Sequence, residues 1–242
     1  MKQDINTRLS HFFLTEPQTC PYISNQVEQK LIVKLRGSCV NKMHTNLAEN
    51  GFRRSHDTSY LPVCPNCNAC KPVRVLVDNY SPTRSHKRLS KKFNTLKIIF
   101  AKPRADKHMY SLFLEYQTSR HPNSDMVHMS YNEFRAMLEE SPLDTCVLEF
   151  RTISHKLVGV MITDITVGGT SAVYSFFSPA KSWNGLGTYM VITLIKRTYG
   201  MGLPYLYLGY YIKGHSNMAY KAKFQPLEAL ENNSWKLLSI EN

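Results

Sequence analysis

The sequence predicts an α+β fold with a cysteine-bearing segment at the N-terminus. Three observations predict it. Helical and strand-like periodicities follow one another in the order helix, helix, three strands, helix, strand between residues 107 and 212. A glycine-bearing loop, Trp183-Asn184-Gly185-Leu186-Gly187, separates the third strand from the last helix. A Cys64-Pro-Asn-Cys67-Asn-Ala-Cys70 run sits well apart from these elements, in the first third of the chain.

In chain order, the cysteine run comes first. Three thiolates at C-x2-C-x2-C spacing converge from one turn, which suits zinc or an iron–sulfur cluster. Lys71-Pro72 stands where a ferredoxin-type run would place its next cysteine, so the fourth ligand must come from elsewhere. Cys20, followed by Pro21, is the candidate, and Cys39 and Cys146 read as ordinary buried cysteines.

Residues 84–107 carry nine Lys/Arg and one acid, Asp106, or +8 of the chain's net +12. Ser81-Pro82 reads as an N-cap followed by proline at the first helical position. Read onward as a helix, Arg84, Lys87, Arg88 and Lys91 share one face, and Leu89, Phe93 and Leu96 share another. A merely solvated helix mixes acids with its bases, whereas a rigid basic stripe suits phosphates. The apolar stripe is too slight for a helix lying on a membrane.

Met109, Leu112, Phe113 and Tyr116 mark the next helix, over 107–120. Ser130 and Glu133 form a capping-box signature ahead of Phe134, Met137 and Leu138, and Ser141-Pro142 ends that helix. Thr145–Thr152, Leu157–Thr166 and Ser171–Ser178 read as strands of an antiparallel meander with short turns. A helix from about Leu186 to Tyr199 follows, stopped by Gly200 and Gly202, and Pro204 opens a strand through Ile212. The last strand–helix–strand step is a crossover, so strands 171–178 and 204–212 are expected to be parallel neighbours.

Composition narrows the function. The chain has 242 residues, 43% hydrophobic, enough for one large domain or two small ones. A net charge of +12 favours polyanions, acidic substrates or membrane surfaces as partners. The N-terminus has no apolar run fit for a signal peptide, and no window reaches about 18 apolar residues. A cytoplasmic location is therefore expected, where six cysteines are poor candidates for structural disulfides.

The element order resembles the acetyltransferase fold of the GNAT superfamily, in which the acyl donor's phosphates sit at the glycine loop before the last helix. That loop reads Arg/Gln-x-x-Gly-x-Gly in the superfamily. Here Ser182 holds the first position, which argues against coenzyme A and leaves acyl chemistry with another phosphate-bearing donor.

A more specific resemblance covers roughly residues 11–228. Its motifs are Cys20-Pro21-Tyr22, Gly51-Phe52-Arg53-Arg54-Ser55 with Tyr60, and the cysteine run with Val73-Arg74-Val75. They continue through Ser81-Pro82, Arg84-Ser85, Arg88, Arg120-His121 and Tyr174-Ser175-Phe176-Phe177. Gly187-Thr188-Tyr189, Leu208-Gly209-Tyr210, Met218, Tyr220-Lys221-Ala222 and Phe224 complete the set. This pattern resembles the arginyl-tRNA–protein transferase family in its short bacterial form. Ser178 stands where an acid is expected, and Ile23-Ser24-Asn25 where Leu-Pro-Gly is expected.

The resemblance implies transfer of an amino acid from the 3′ end of a tRNA to the α-amine of proteins beginning with Asp or Glu. No cofactor is required for transfer. The short form implies leucyl-tRNA, and the few acids of the C-terminal half lean the same way; arginyl-tRNA is the alternative donor. The expected division is a cysteine-motif region, residues 1–80, and a GNAT-like aminoacyl-transfer domain, 81–242. Tyr174, Tyr210, Tyr220 and Lys221 are the expected catalytic residues, flanking the parallel strand pair. Arg53, Arg54 or Arg74 would read the acceptor's acidic side chain, since an arginine fork matches a carboxylate. Arg84, Lys87, Arg88 and Lys91 would hold the tRNA, and Cys20, Cys64, Cys67 and Cys70 the possible zinc or iron–sulfur cluster. The rivals are a coenzyme A-dependent N-acetyltransferase and a non-catalytic RNA-binding or iron–sulfur protein.

Overall fold

The computed structural model describes residues 11–239. The chain begins with β1 (Phe12–Leu14), β2 (Gln18–Thr19), β3 (Val27–Glu28), β4 (Lys30–Lys34), α1 (Val40–Glu49), β5 (Arg53–Ser55), β6 (Thr58–Pro62) and β7 (Lys71–Leu76). It continues with α2 (Arg84–Lys92), β8 (Lys97–Ala101), α3 (Lys107–Arg120), α4 (Tyr131–Glu139), β9 (Thr145–Arg151), β10 (Leu157–Thr166) and β11 (Gly169–Phe177). It ends with α5 (Leu186–Gly200), β12 (Tyr205–Tyr211), β13 (Leu227–Glu231) and β14 (Ser234–Leu237).

An eight-stranded sheet runs in the order β14-β13-β7-β12-β11-β10-β9-β8. The expected meander β9-β10-β11 is present and antiparallel. The crossover through α5 makes β11 and β12 parallel, as expected. This element order and its parallel pair give the expected α+β fold.

Alternating residues send their side chains to opposite faces of the sheet. Leu148, Phe150, Val158 and Met161 pack under α5 with Met190, Leu194 and Ile195. Val147, Val160, Ile162 and Phe176 pack under α3 and α4 with Met109, Phe113, Phe134 and Leu138. The Ser130/Glu133 capping box forms as expected at the start of α4.

The parallel pair matters most for the site. β11 and β12 pair only over Gly169–Ser171 and Tyr205–Tyr207, although the strands run on to Phe177 and Tyr211. Beyond that point the strands part. Each carries a bulge there, between Tyr174 and Ala172 on β11 and between Tyr207 and Gly209 on β12. Bulges bend a strand and leave a peptide group out of the ladder. The result is a cleft with unpaired backbone along its edges.

A second sheet, β1-β4-β6-β5, packs beside the first. Buried polar contacts join the two. Arg54 forks onto Asp164 of β10 at 2.5 and 2.8 Å. The Tyr210 hydroxyl of β12 reaches the carbonyls of Gly51 and Tyr60 at 3.0 and 2.8 Å. β7 belongs to the large sheet, hydrogen-bonded between β13 and β12.

Three expectations are corrected. Thr83, not Ser81, caps α2, because its side chain accepts the His86 amide; Ser81 and Pro82 lie ahead of the helix. The helix ends at Lys92, and the basic segment continues as strand β8 along the sheet edge beside β9. Leu96 is therefore buried past the helix rather than on it. Cys39 is exposed at the start of α1 rather than buried, and Cys146 is half-buried.

Candidate active site

The site gathers where β11 and β12 part. Arg53 reaches into that cleft from β5. Its Nη2 donates to the carbonyl of Val173, the residue that the β11 bulge leaves out of register, and at 3.5 Å to that of Ala172. Gly209 makes the approach possible. At φ +73° it lies in the left-handed region, and a Cβ there would collide with the Arg53 guanidinium. Among the described residues, no carboxylate stands within ion-pair distance of Arg53. A half-buried guanidinium bonded only to backbone carbonyls is a cation prepared for an anion from outside.

Lys221, in a short 3-10 turn over Ala219–Lys223, lies 6% exposed beside that cation. Its Nζ donates to the Tyr210 carbonyl. Burial, with Arg53 adding to it, lowers its pKa to about 7. An amine in this state takes up and releases a proton at neutral pH.

Tyrosines surround the pair. The Tyr174 hydroxyl accepts a hydrogen bond from Gln117 Nε2 at 2.6 Å, and burial pushes its pKa up to about 12. Tyr210 is 7% exposed, and burial raises its pKa further still. Its hydroxyl is already engaged with two carbonyls, so its contribution at the cleft is the carbonyl that holds Lys221. Tyr220 is 39% exposed, and the protein packed around its phenol raises its pKa while Arg53 opposes the rise. It offers an accessible ring at the rim of the site.

The three arginines separate sharply. Arg54 is 4% exposed and held by the Asp164 carboxylate and the His56 carbonyl. Arg74 donates to Glu228 at 2.7 Å and lies over the rings of Tyr205 and Trp235 at 3.6 and 4.2 Å. The structure brings only Arg53 to the cleft.

Cys20, Cys64, Cys67 and Cys70 line one concavity of about 70 Å³ with Tyr22, Tyr60 and Tyr210. The sequence placed these four together correctly in space. Among the described residues, no group of three or more His, Cys, Asp or Glu side chains is arranged to hold a metal, so the expected zinc or iron–sulfur cluster finds no support here. Burial and the neighbouring thiols Cys64, Cys20 and Cys67 push Cys70 up to about 11.

Arg84, Lys87, Arg88 and Lys91 are all exposed on α2, with His86 turned inward. The helix lies against the start of α5. Leu89 fills the space beside Gly185, which is left-handed at φ +92°, and Phe93 stacks on Trp183 at 6.1 Å. Lys92 Nζ donates to the Asn184 carbonyl at 2.9 Å. Basic helix and glycine loop thus form one continuous surface. On the other flank of α2, His86 stacks on Phe224, just past Lys221, at 4.9 Å. The basic surface therefore borders the cleft.

Sequence reasoning missed Gln117 and Tyr116. Tyr116 lies near enough to Tyr174 and Tyr220 to raise both pKa values. Gln117 is 0% exposed, on the face of α3 that carries Met109, Leu112 and Phe113. A polar residue in register with an apolar stripe was the available signal.

A strand-parting cleft holding a depressed lysine and an unpaired arginine, bordered by a basic helix, is suited to group transfer from a polyanionic donor. The comparisons narrow the class. Residues 18–88 match the family described as Arginine-tRNA-protein transferase, N terminus, and residues 108–231 match the Arginine-tRNA-protein transferase, C terminus. The chain belongs to this family. A relative in Gluconacetobacter diazotrophicus, named aspartate/glutamate leucyltransferase, is 42% identical over 224 residues, 93% of this chain and 86% of the relative. One of the same name in Paramagnetospirillum magneticum is 41% identical over 225 residues, 93% and 92% of the two chains. Among solved structures, L-PGS from Bacillus licheniformis superposes with TM-score 0.49 at 12% identity, covering 72% of this chain and 52% of that one. No helix among the described residues is long and apolar enough to cross a membrane.

Proposed function

We propose that this chain transfers leucine from leucyl-tRNA to the α-amine of proteins that begin with Asp or Glu. The product carries a new N-terminal leucine and enters the N-degron pathway of degradation. The carrying observation is Arg53, a cation in the cleft with two backbone carbonyls and no carboxylate partner among the described residues. It supports the reading as the group that takes the acceptor's acidic side chain in bidentate geometry.

The chemistry asked of the site is modest. The acceptor nitrogen attacks the ester carbonyl, a C–N bond forms, and the C–O bond to the tRNA 3′ oxygen breaks. The nitrogen must lose a proton and the departing oxygen must gain one. Neutral Lys221 accepts the first and returns it to the second, so no external acid, base or cofactor is consumed. An ester held beside an amine needs mainly position and charge stabilisation beyond this.

The exposed face of α2 would carry the tRNA backbone, and the accessible ring of Tyr220 the unpaired terminal adenine. The N-terminal region, 1–80, would supply acceptor recognition through Arg53, and residues 81–242 the donor surface and Lys221. A leucine donor is supported by the relatives that carry the name aspartate/glutamate leucyltransferase. The compartment we propose is the cytosol, where tRNA and acceptor meet.

A transfer assay tests this. The protein is mixed with leucyl-tRNA or arginyl-tRNA and with peptides beginning with Asp, Glu or a neutral residue, and peptide mass is read. A leucine-sized gain on the acidic peptides alone is expected. An arginine-sized gain would replace the donor, and no gain with intact tRNA binding would sink the reading.

A further inference from the structure

The hydrogen bond between Gln117 and Tyr174 has a direction, and that direction has a chemical consequence. Gln117 sits on α3 with no exposure. Its Nε2 donates both to the Tyr174 hydroxyl at 2.6 Å and to the Met126 thioether at 3.7 Å. A thioether only accepts, so Met126 fixes which end of the amide faces it. The nitrogen therefore faces Tyr174, and the phenol oxygen is the acceptor of that bond. The tyrosine's own proton is left to point elsewhere, and among the described residues it has no protein acceptor.

The cost of this arrangement is visible. The Gln117 carbonyl oxygen is buried without a donor. Stability alone selects against such a group, because a buried acceptor loses its water and gains nothing. A leucine here would match the rest of the stripe, Met109, Leu112 and Phe113.

Tyr174 lies directly after Val173, whose carbonyl accepts from Arg53, and Arg53 acts electrostatically on the Tyr174 phenol. The phenol thus borders the cleft that holds Arg53 and Lys221. We infer that Gln117 is a positioning residue that turns the Tyr174 hydroxyl into a dedicated proton donor, aimed at the oxyanion that develops on the ester carbonyl. The inference rests on the leucyl-transfer reading and adds to it the group that stabilises its transition state. No bond to the enzyme forms. The Tyr174 O–H strengthens its hydrogen bond as the carbonyl oxygen gains charge and relaxes as the C–O bond breaks.

The decisive variant is Gln117→Glu, which keeps shape and hydrogen bond but reverses the donor. An ionised carboxylate accepts the Tyr174 proton and removes it from the cleft. Single-turnover transfer of leucine to an Asp-initiated peptide is measured against pH for the wild type, Gln117→Glu, Tyr174→Phe and the double variant. Tyr174→Phe is expected to slow the chemical step by roughly 10²-fold with tRNA and peptide affinities unchanged. Gln117→Glu is expected to match it at high pH and to recover as the pH falls and the glutamic acid regains a donor. The double variant is expected to be no slower than Tyr174→Phe alone. If Gln117→Glu transfers like the wild type at every pH, Gln117 only fills space and the inference is wrong.

Should Gln117→Glu fail to fold, a fluorinated tyrosine at 174 gives the same answer in the otherwise native protein. A more acidic phenol loses its proton sooner, so the high-pH fall in rate moves to lower pH. An unmoved profile overturns the inference. A wild type that transfers, with Tyr174→Phe equally fast, overturns the inference and leaves leucyl transfer standing; a wild type that transfers nothing removes the reading beneath it.

Discussion

Replacing Lys221 with methionine is expected to make the protein more stable and nearly inactive. Methionine has much the same length and keeps the apolar stem packed. What it removes is an ammonium that the fold must neutralise. A lysine pKa lowered from 10.5 to about 7 corresponds to a penalty of at most about 5 kcal/mol at neutral pH. Methionine also leaves the Tyr210 carbonyl without its donor, which costs about 1–3 kcal/mol. The net gain is at most about 2–4 kcal/mol, or a rise in Tm of roughly 4–16 °C for a chain of this size.

The sign with pH is fixed by linkage. The unfolded chain binds the lysine proton up to about pH 10.5, whereas the folded chain releases it near pH 7. The penalty is therefore fully present below about pH 7 and vanishes as the pH climbs towards 10.5. Denaturant unfolding of both proteins at pH 7, 8.5 and 10 checks this, and the stability gap should narrow at each step. Transfer by Lys221→Met should fall by about 10²–10⁴-fold, the usual worth of a general base. In the wild type, the rate should rise through pH 7 with the neutral fraction of Lys221. A gap that does not change with pH, or a methionine variant less stable than the wild type at pH 7, would refute the claim that Lys221 is a neutral buried amine.

Alanine at Lys87, Arg88 and Lys91 should weaken tRNA binding without unfolding the protein, since all three are exposed on α2. The slope of log affinity against log salt should drop by up to about 3, roughly one for each phosphate that is no longer neutralised, as read by filter binding across a salt series. Asp164→Asn should cost about 3–5 kcal/mol in denaturant unfolding, because it leaves the buried Arg54 without its charge partner. Transfer per folded molecule should stay close to that of the wild type, since neither residue faces the cleft.

Much of the C-terminal half was legible because its elements are local. Periodicity exposed α3, α4, α5 and the meander, and one crossover rule gave the parallel pair. The N-terminal strands were not legible: β1 and β5 of the second sheet, and the separate β2-β3 pair, are two or three residues long and carry no period to count. The β13–β14 hairpin escaped notice in the same way. The overlong basic helix was a different failure. Leu89, Phe93 and Leu96 keep helical spacing, but Lys97–Ala101 finds a sheet partner in β9, and tertiary pairing overrides the local pattern. Within the site, the sequence could name Arg53, Arg54 and Arg74 as a set but not choose among them. Burial of a counter-ion is decided by residues far along the chain, Asp164 for one and Glu228 for another.

Strand alternation then explains why two consecutive arginines do different work. Successive side chains of β5 point to opposite sides, so Arg54 enters the protein while Arg53 turns to the cleft. Gly209 is what lets Arg53 complete the turn, and Gly209→Ala tests the whole geometry. The new methyl would sit in the space of the guanidinium, at a backbone angle that disfavours a side chain by about 1–2 kcal/mol. Arg53 must then leave the Val173 carbonyl. Selectivity for Asp- over Gln-initiated peptides, measured as the ratio of kcat/KM, should collapse in Gly209→Ala as it does in Arg53→Ala. In the double variant the collision is gone and only the backbone strain remains, so the two stability losses should add up to more than the double variant shows. Strict additivity of those losses, or full selectivity in Gly209→Ala, would mean that Arg53 does not depend on the opening at Gly209 and reads no acceptor there.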